Sequence, residues 1–299
     1  MQTDKKPRVL VTGSDGQLGR MFRRISHQFP DMEYLWAGKL DFDITVKSRE
    51  AAGLKKLEVD AVVNCAAYTN VEKAESEPEE SMLVNATAAG FLADACHEAQ
   101  CLLVHFSTDY VFDGKKTTPY TEKDLPRPLS VYGESKLLGE HLIDEKLRRH
   151  LILRTSWLYS EYGHNFFKTM MRLAREKGEL HVVNDQVASP TYAGSLAGDV
   201  LAFLQRAIVR KEHVEYGLYH YSENGEASWW HFAKEIMKQN GMDVPVHAIS
   251  TSSTQMKARR PAYSKLDNSK WIMSTGQESH SWQEGLTACL AEFSHTGNE

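Results

Sequence analysis

Tyr132 and Lys136 stand four apart in the run Tyr132-Gly133-Glu134-Ser135-Lys136. On a helix that spacing puts both side chains on one face, a turn apart. A tyrosine alone is a poor acid at neutral pH, with a pKa of about 10. A neighbouring ammonium favours the phenolate and lowers that value, so the proton becomes transferable to a developing alkoxide near pH 7. Thr108 follows Ser107 in an earlier apolar run, where its hydroxyl could hold a carbonyl oxygen. Acid, activator and orienting hydroxyl are the parts that keto reduction needs. Tyr-x-x-x-Lys alone also decorates many helix surfaces, so its weight comes from what surrounds it.

Reduction requires a hydride donor, and the N-terminus offers a place for one. Gly13-Ser14-Asp15-Gly16-Gln17-Leu18-Gly19 follows the apolar run Arg8–Thr12. Gly13 permits a tight turn, Gly16 lets the backbone approach a pyrophosphate, and Gly19 lets the next helix pack closely. Gln17 and Leu18 open that helix, where free N–H groups and the helix dipole favour an anion. A dinucleotide is the expected ligand. An NAD site usually carries an acid after the second strand to hold the ribose hydroxyls. Here Trp36-Ala37-Gly38-Lys39 has none. Lys39, with Arg20, would instead pair with a 2′-phosphate, which favours NADPH and leaves NADH open. Asp43 and Ile44, past the next turn, would frame the adenine.

These residues need elements to position them. Apolar runs at 8–12, 33–37, 61–66, 102–107 and 150–155 read as strands. They alternate with helical patterns at 17–29, 48–57, 79–100 and 132–147. That rhythm predicts an α/β fold of Rossmann type: a doubly wound parallel sheet with both faces covered and its ligand residues at the carboxyl ends of the strands. Beyond about residue 159 the rhythm loosens. Helices are expected at 164–177, 195–209, 229–240 and 281–295, and strands at 180–184 and 217–221. The expected division is a dinucleotide-binding domain over 1–160, re-entered near 190–222, with 161–299 forming mainly a smaller α/β substrate-binding region.

Composition narrows the class. The 299 residues are 41% hydrophobic and 25% charged, with a net charge of −5. This argues against a general nucleic-acid or membrane-surface binder. No apolar run approaches the ~20 residues of a membrane span, and the polar N-terminus lacks a secretory signal. Cys65, Cys96, Cys101 and Cys289 form no C-x-x-C pair, and Cys65 falls in the apolar run 61–66. A cytoplasmic protein with buried thiols, no disulfide and no metal cluster is expected, its histidines being scattered.

With these motifs in place, the chain resembles the extended short-chain dehydrogenase/reductases, and within them the dTDP-4-dehydrorhamnose reductase family. The matching segments include GSDGQLG at 13–19, NCAAYTNVEKAESEPE at 64–79, FSTDYVFDG at 106–114 and PLSVYGESKLLGE at 128–140. Further on they are LRTSWLY at 153–159, NFFKTMMRLA at 165–174, NDQVASPTYA at 184–193 and RRPAYSKLDNSKW at 259–271. The resemblance implies NADPH- or NADH-dependent reduction of the 4-keto group of dTDP-4-dehydro-6-deoxy-L-mannose to dTDP-L-rhamnose. It implies Thr108, Tyr132 and Lys136 as the catalytic trio, with Ala66, Ala67 and Thr69 lining the cofactor. Val71, Asp109, Tyr110 and Trp157 would touch or position the sugar, Asn165 and Lys168 the nucleotide, and Arg260 the diphosphate. A homodimer is compatible with the resemblance. Sugar-nucleotide dehydratases of the superfamily place Asp-Glu after the active-site threonine. Here Asp109-Tyr110 stands instead, which favours simple reduction. An epimerase holding NAD, or a non-catalytic dinucleotide-binding subunit, would share most of these motifs.

Overall fold

The computed structural model describes residues 5–46 and 53–295. Its centre is a six-stranded parallel sheet. The strands are β1 (Arg8–Thr12), β2 (Glu33–Ala37), β3 (Ala61–Asn64), β4 (Leu102–Thr108), β5 (His150–Thr155) and β7 (Gly217–Tyr221). β6 (Leu180–Val183) lies outside this sheet and pairs in parallel with β8 (Val246–Ile249). The order across the main sheet is β7-β5-β4-β3-β1-β2. The chain leaves β1 toward β2, then returns to the other side of β1 as β3. The carboxyl ends of β1 and β3 therefore flank a switch point, the crevice where open α/β sheets bind ligands.

Alternation within the strands explains the two-sided burial. Val9, Val11, Val63 and Val104 pack into one apolar cluster with α1 (Gln17–Ile25) through Met21 and Phe22. Leu10, Val62, Leu103 and Ile152 point the other way, onto α2 (Ala88–Ala99) and α3 (Val131–Lys146) through Leu92, Cys96 and Ile143. Successive strand residues face opposite sides, so a run with no polar alternation needs helices on both. Every residue of β4 and β5 is buried.

The remaining long helices are α4 (Phe166–Lys177), α5 (Ala193–Leu204), α6 (Trp229–Gln239), α7 (Ser269–Thr275) and α8 (Trp282–His295). Several expectations need correction. The helix expected over 79–100 is interrupted by a π turn, Leu83–Thr87, before α2 begins. That expected over 195–209 ends likewise in a π turn, Gln205–Val209. β3 stops at Asn64, which leaves Cys65 and Ala66 outside the sheet, Cys65 only half-buried. The helix expected over 48–57 lies partly outside the described residues, and 53–57 are helical. The histidines are not all scattered. Register between β6 and β8 sets His181 beside His247, and with Glu179 their ligand atoms lie within 4.8 Å of one another on an exposed face. Among the described residues, no helix is long and apolar enough to cross a membrane.

The second half of the chain is tied to the glycine loop and to β4. Asn165 Nδ2 donates to Gln17 Oε1 at 2.8 Å, and Gln17 Nε2 donates to the Leu158 carbonyl at 3.2 Å. Arg24 pairs with the buried Glu161. Ser264 donates to Asp109 at 2.5 Å, just past β4.

Candidate active site

β4 ends at Thr108, whose side chain caps the single turn Asp109–Val111 by accepting from the Tyr110 amide at 3.2 Å. α3 starts against this turn. Ser130 is its N-cap, accepting from the Gly133 amide at 3.2 Å. A Cβ at Gly133 would stand 2.3 Å from the Tyr110 carbonyl oxygen, so only glycine lets the helix come this close. The approach brings the Tyr132 phenol to the Thr108 hydroxyl, which also donates to Asp109 Oδ1 at 3.3 Å. The Tyr132 ring meets Tyr110 edge-on, with centroids 5.9 Å apart.

Burial pushes the Tyr132 phenol up to about 12, the Thr108 hydrogen bond opposes this, and the neighbouring Asp109 adds to it. Burial likewise raises Asp109 to about 7. The lowering of Tyr132 by Lys136 expected from the spacing is absent from these influences. The reason is where the amine goes. Lys136 Nζ lies 3.2 Å from His105 Nε2, and burial lowers Lys136 to about 8. His105 Nδ1 meets Asn64 Nδ2 at 3.0 Å. Asn64 Oδ1 accepts from Thr12 Oγ1 at 2.7 Å and from the Ala66 amide at 3.2 Å. A buried polar chain thus runs beneath the sheet edge from β1 to α3.

The glycine loop opens onto a cleft of about 370 Å³. Of the expected cofactor residues, Gly13, Gly16, Lys39, Asp43, Ile44, Ala66 and Ala67 line it, with Cys65, Phe42 and Val84. Gly13 adopts φ +60°, and a Cβ there would stand 2.6 Å from the Ala66 nitrogen. A Cβ at Gly19 would lie 2.4 Å from the Gly13 carbonyl oxygen. The N-cap of α1, Gly16, makes no side-chain cap hydrogen bond, and the first turn holds no acid. Uncapped N–H groups at a helix start above a glycine turn suit a diphosphate.

Two acids qualify the cofactor end. Asp41 Oδ2 accepts from the Gly38 amide at 3.0 Å, and Asp15 lines the cleft with Lys39. An acid does follow the second strand, four residues past its end rather than directly after it. Arg20 is not gathered with Lys39. Its guanidinium lies over the Tyr162 ring, 4.5 Å from the centroid, in an adjoining hollow with Arg23 and Arg24 that shares Asp15 with the cleft. Leu18 is buried in the core beneath the loop, and Thr69 is exposed.

The residues implied for the sugar nucleotide divide similarly. Asp109 and Tyr110 lie beside Tyr132, and Val71 begins a short helix, Val71–Ala74, half-buried. Trp157, at φ +46°, stacks on Trp229 with centroids 3.5 Å apart. Asn165 is engaged within the protein: its amide donates to Gln17, Ser160 and Tyr162, and its carbonyl caps α4. Lys168 faces another hollow with Arg172 and Arg175. Arg260 pairs with Glu72.

Sequence reasoning overlooked Asn64, His105 and Asn85. Asn85, in the π turn, bonds both backbone groups of Tyr68 at 2.9 Å and Ser135 Oγ at 3.0 Å, joining the cleft wall to α3. The available signal was a polar residue inside an apolar run, as in Ala-Val-Val-Asn and Leu-Leu-Val-His.

Sheet order, glycine loop and the Thr–Tyr–Lys arrangement over β4 define an extended short-chain dehydrogenase/reductase fold. A family model described as RmlD substrate binding domain matches residues 7–295. A dTDP-4-dehydrorhamnose reductase of Sinorhizobium fredii is 41% identical over 281 residues, covering 93% of this chain and 94% of the relative. That of Escherichia coli K12 is 37% identical over 293 residues, covering 95% and 97%. A solved dTDP-4-dehydrorhamnose reductase from Bacillus anthracis, in complex with NADP, superposes with a TM-score of 0.91 at 36% identity, covering 96% of this chain and all of that one. The chain belongs to the dTDP-4-dehydrorhamnose reductase family.

Proposed function

We propose that this protein reduces the 4-keto group of dTDP-4-dehydro-6-deoxy-L-mannose to dTDP-L-rhamnose, using NADPH. The observation that carries the reading is the juxtaposition of Thr108 and Tyr132 at the carboxyl end of β4, with Lys136 one turn further along α3. The names of its relatives supply the substrate and that of the solved Bacillus anthracis enzyme the cofactor.

The fit to a dinucleotide is good. The uncapped first turn of α1 and the Gly13–Gly19 loop would hold the diphosphate. Asp43 and Ile44 would flank the adenine, Lys39 would meet the 2′-phosphate, and Ala66, Ala67 and Thr69 would bound the nicotinamide half. The bound nicotinamide supplies the hydride. Tyr132 donates its proton to the oxygen as negative charge develops there; held up to about 12 by burial, its phenol carries that proton throughout the neutral range. Thr108 donates to the same oxygen and fixes its direction. Lys136 holds the nicotinamide ribose. Asp109, Tyr110, Val71 and Trp157 would position the sugar, Asn165 and Lys168 would stand nearest the base, and Arg260 would meet the diphosphate.

The test is a coupled assay in which dTDP-glucose is converted by a 4,6-dehydratase and a 3,5-epimerase, then offered with NADPH. Stoichiometric loss of nicotinamide absorbance with a dTDP-L-rhamnose product is expected. Conversion of the keto-sugar to an epimer without net NADPH oxidation would instead indicate an epimerase.

A further inference from the structure

Asn64 and His105 are register partners on β3 and β4, each a polar residue inside an apolar strand, and each at most 2% exposed. Keto reduction by a Tyr–Lys pair makes no demand for a histidine beneath the lysine. The direction of every hydrogen bond in the chain follows from one fixed donor. The Ala66 backbone N–H can only donate, and it meets Asn64 Oδ1 at 3.2 Å. A flipped amide would set NH₂ against N–H, so the orientation is determined. Asn64 Nδ2, a donor only, then faces His105 Nδ1 at 3.0 Å, and Nδ1 must accept. A neutral imidazole with a bare Nδ1 carries its proton on Nε2. The doubly protonated ring would oppose Asn64, and burial holds His105 well below its usual range. Nε2–H therefore points at Lys136 Nζ, 3.2 Å away. An ammonium has only donors, whereas an uncharged amine has a lone pair to accept.

We propose that His105 is a positioning residue that parks Lys136, at alkaline pH, as an uncharged, hydrogen-bond-accepting amine in the dinucleotide-free protein, and that dinucleotide entry releases the amine to take a proton from solvent. The step is a single proton transfer from water or buffer to Nζ; no bond to carbon changes. Its second half rests on the dinucleotide reading given above. Lys136 is 2% exposed, and burial brings its amine to about 8. The charged group opposing this is Glu140, one turn along α3. Its carboxylate is already held by Arg154 at 2.9 and 2.6 Å and by Ser107. His150 also acts on His105 and keeps it neutral. A bound dinucleotide adds phosphate charge, which favours the ammonium, and ribose hydroxyls, which can accept where His105 Nε2–H cannot. The chain begins at Ala66, in the wall of the cleft, so occupation of the cleft and the state of the lysine share one set of hydrogen bonds.

The first experiment uses the ligand-free protein with ¹⁵N-labelled histidine, the His105 signals being assigned by their loss in His105→Gln. A bare Nδ1 and a protonated Nε2 are expected near pH 9, where the amine is mostly uncharged. The opposite tautomer, or two protonated nitrogens, overturns the proposal. The second is calorimetric titration with NADPH near pH 9 in two buffers of different ionisation heat. Net uptake of most of one proton is expected, and its loss in Lys136→Met. NADPH binding without proton uptake overturns the proposal. Proton uptake in His105→Gln, titrated alongside, should be smaller than in wild type; uptake equal to wild type would mark His105 as merely structural and overturn the proposal. Should NADPH fail to bind, the functional reading falls, while the tautomer of His105 still decides this one.

Discussion

Arg260 and Glu72 form an ion pair, with Nη1 2.7 Å from Oε1, that closes the C-terminal segment onto the helix Val71–Ala74. The arginine side chain is only 14% exposed, and it also hydrogen-bonds Tyr110 beside the candidate acid. Glu72 accepts from the Lys257 amide at 2.9 Å as well. Burial alone would raise this carboxyl; the hydrogen bonds from Lys257 and Arg260 outweigh it and leave Glu72 below its usual value. The cation expected to meet a substrate diphosphate is thus already held next to the reacting groups, by a partner that the diphosphate must displace or share.

Removing that cation should act on binding. A charge-assisted hydrogen bond contributes about 1.5–3 kcal/mol, and each 1.4 kcal/mol is about tenfold. Arg260→Ala should therefore raise KM for the nucleotide sugar by roughly tenfold to a hundredfold, with a smaller effect on kcat. Glu72→Gln should lower KM, because it frees the guanidinium. Steady-state kinetics on both variants checks this; an unchanged KM in Arg260→Ala would remove the diphosphate role.

Tyr132→Phe should act on turnover. It keeps the ring against Tyr110 and deletes the proton donor. General acid catalysis contributes about 10²–10⁴-fold, so kcat should fall by that order while NADPH binding, followed by fluorescence or calorimetry, stays close to wild type. Full activity would mean that another group supplies the proton.

Two glycines separate backbone strain from collision. Gly13 and Gly178 both lie in the left-handed region, at φ +60° and +72°. A Cβ at Gly13 would stand 2.6 Å from the Ala66 nitrogen, whereas one at Gly178 would meet nothing within 4 Å. Left-handed backbone costs an L-residue about 1–2 kcal/mol. Gly178→Ala should lower the unfolding free energy, read by urea unfolding, by that amount alone and leave NADPH affinity intact. Gly13→Ala should lower that free energy further and abolish NADPH binding, because the clash displaces the cleft wall.

Buried carboxyls give a definite sign to stability against pH. Burial raises Glu223 to about 8, Asp109 to about 7 and Asp199 to about 6. Each holds a proton in the folded state that the unfolded chain releases near pH 4. Their combined effect is that stability falls as pH rises from about 4 to about 8. Glu223 has no cation among its hydrogen-bond partners; it accepts from Ser195 Oγ at 2.8 Å and the Tyr192 amide at 3.2 Å. Glu223→Gln should flatten the upper part of that decline and, at pH 8, stabilise the protein by on the order of 2 kcal/mol. Urea unfolding across this range gives the slope directly, and a wild-type stability that rises toward pH 8 would contradict the assignment.

What the sequence made legible was local. Gly13, Gly16 and Gly19 act within one turn, and Tyr132 and Lys136 share one helix face, so spacing conveys their placement, though not that the Lys136 amine turns to His105. The strands were legible because apolar runs buried on both faces read as continuous. What the sequence did not convey depends on partners brought together by the fold. His105 matters through its register with Asn64, and Arg260 through Glu72. Arg20 looks equivalent to Lys39 on paper, but α1 turns it onto Tyr162. Asp41 supplies an acid to the Gly38 amide only because the chain bends back after β2. The π turns leave no mark in a hydrophobic pattern, since one extra residue per turn shifts the phase without changing the composition.

That extra residue at Leu83–Thr87 has a mechanical consequence. Asn85 fastens the backbone of Tyr68, next to the cleft wall, to Ser135 on the helix that carries Tyr132 and Lys136. Wall and helix then move as one body, and the gap between cleft and phenol is fixed by covalent lengths and three hydrogen bonds instead of by closure of a lid. Reactive groups misplaced by 1 Å can lose about a hundredfold in rate. In this fold the tolerance on that distance is machined into a single amide side chain lying on neither reacting partner.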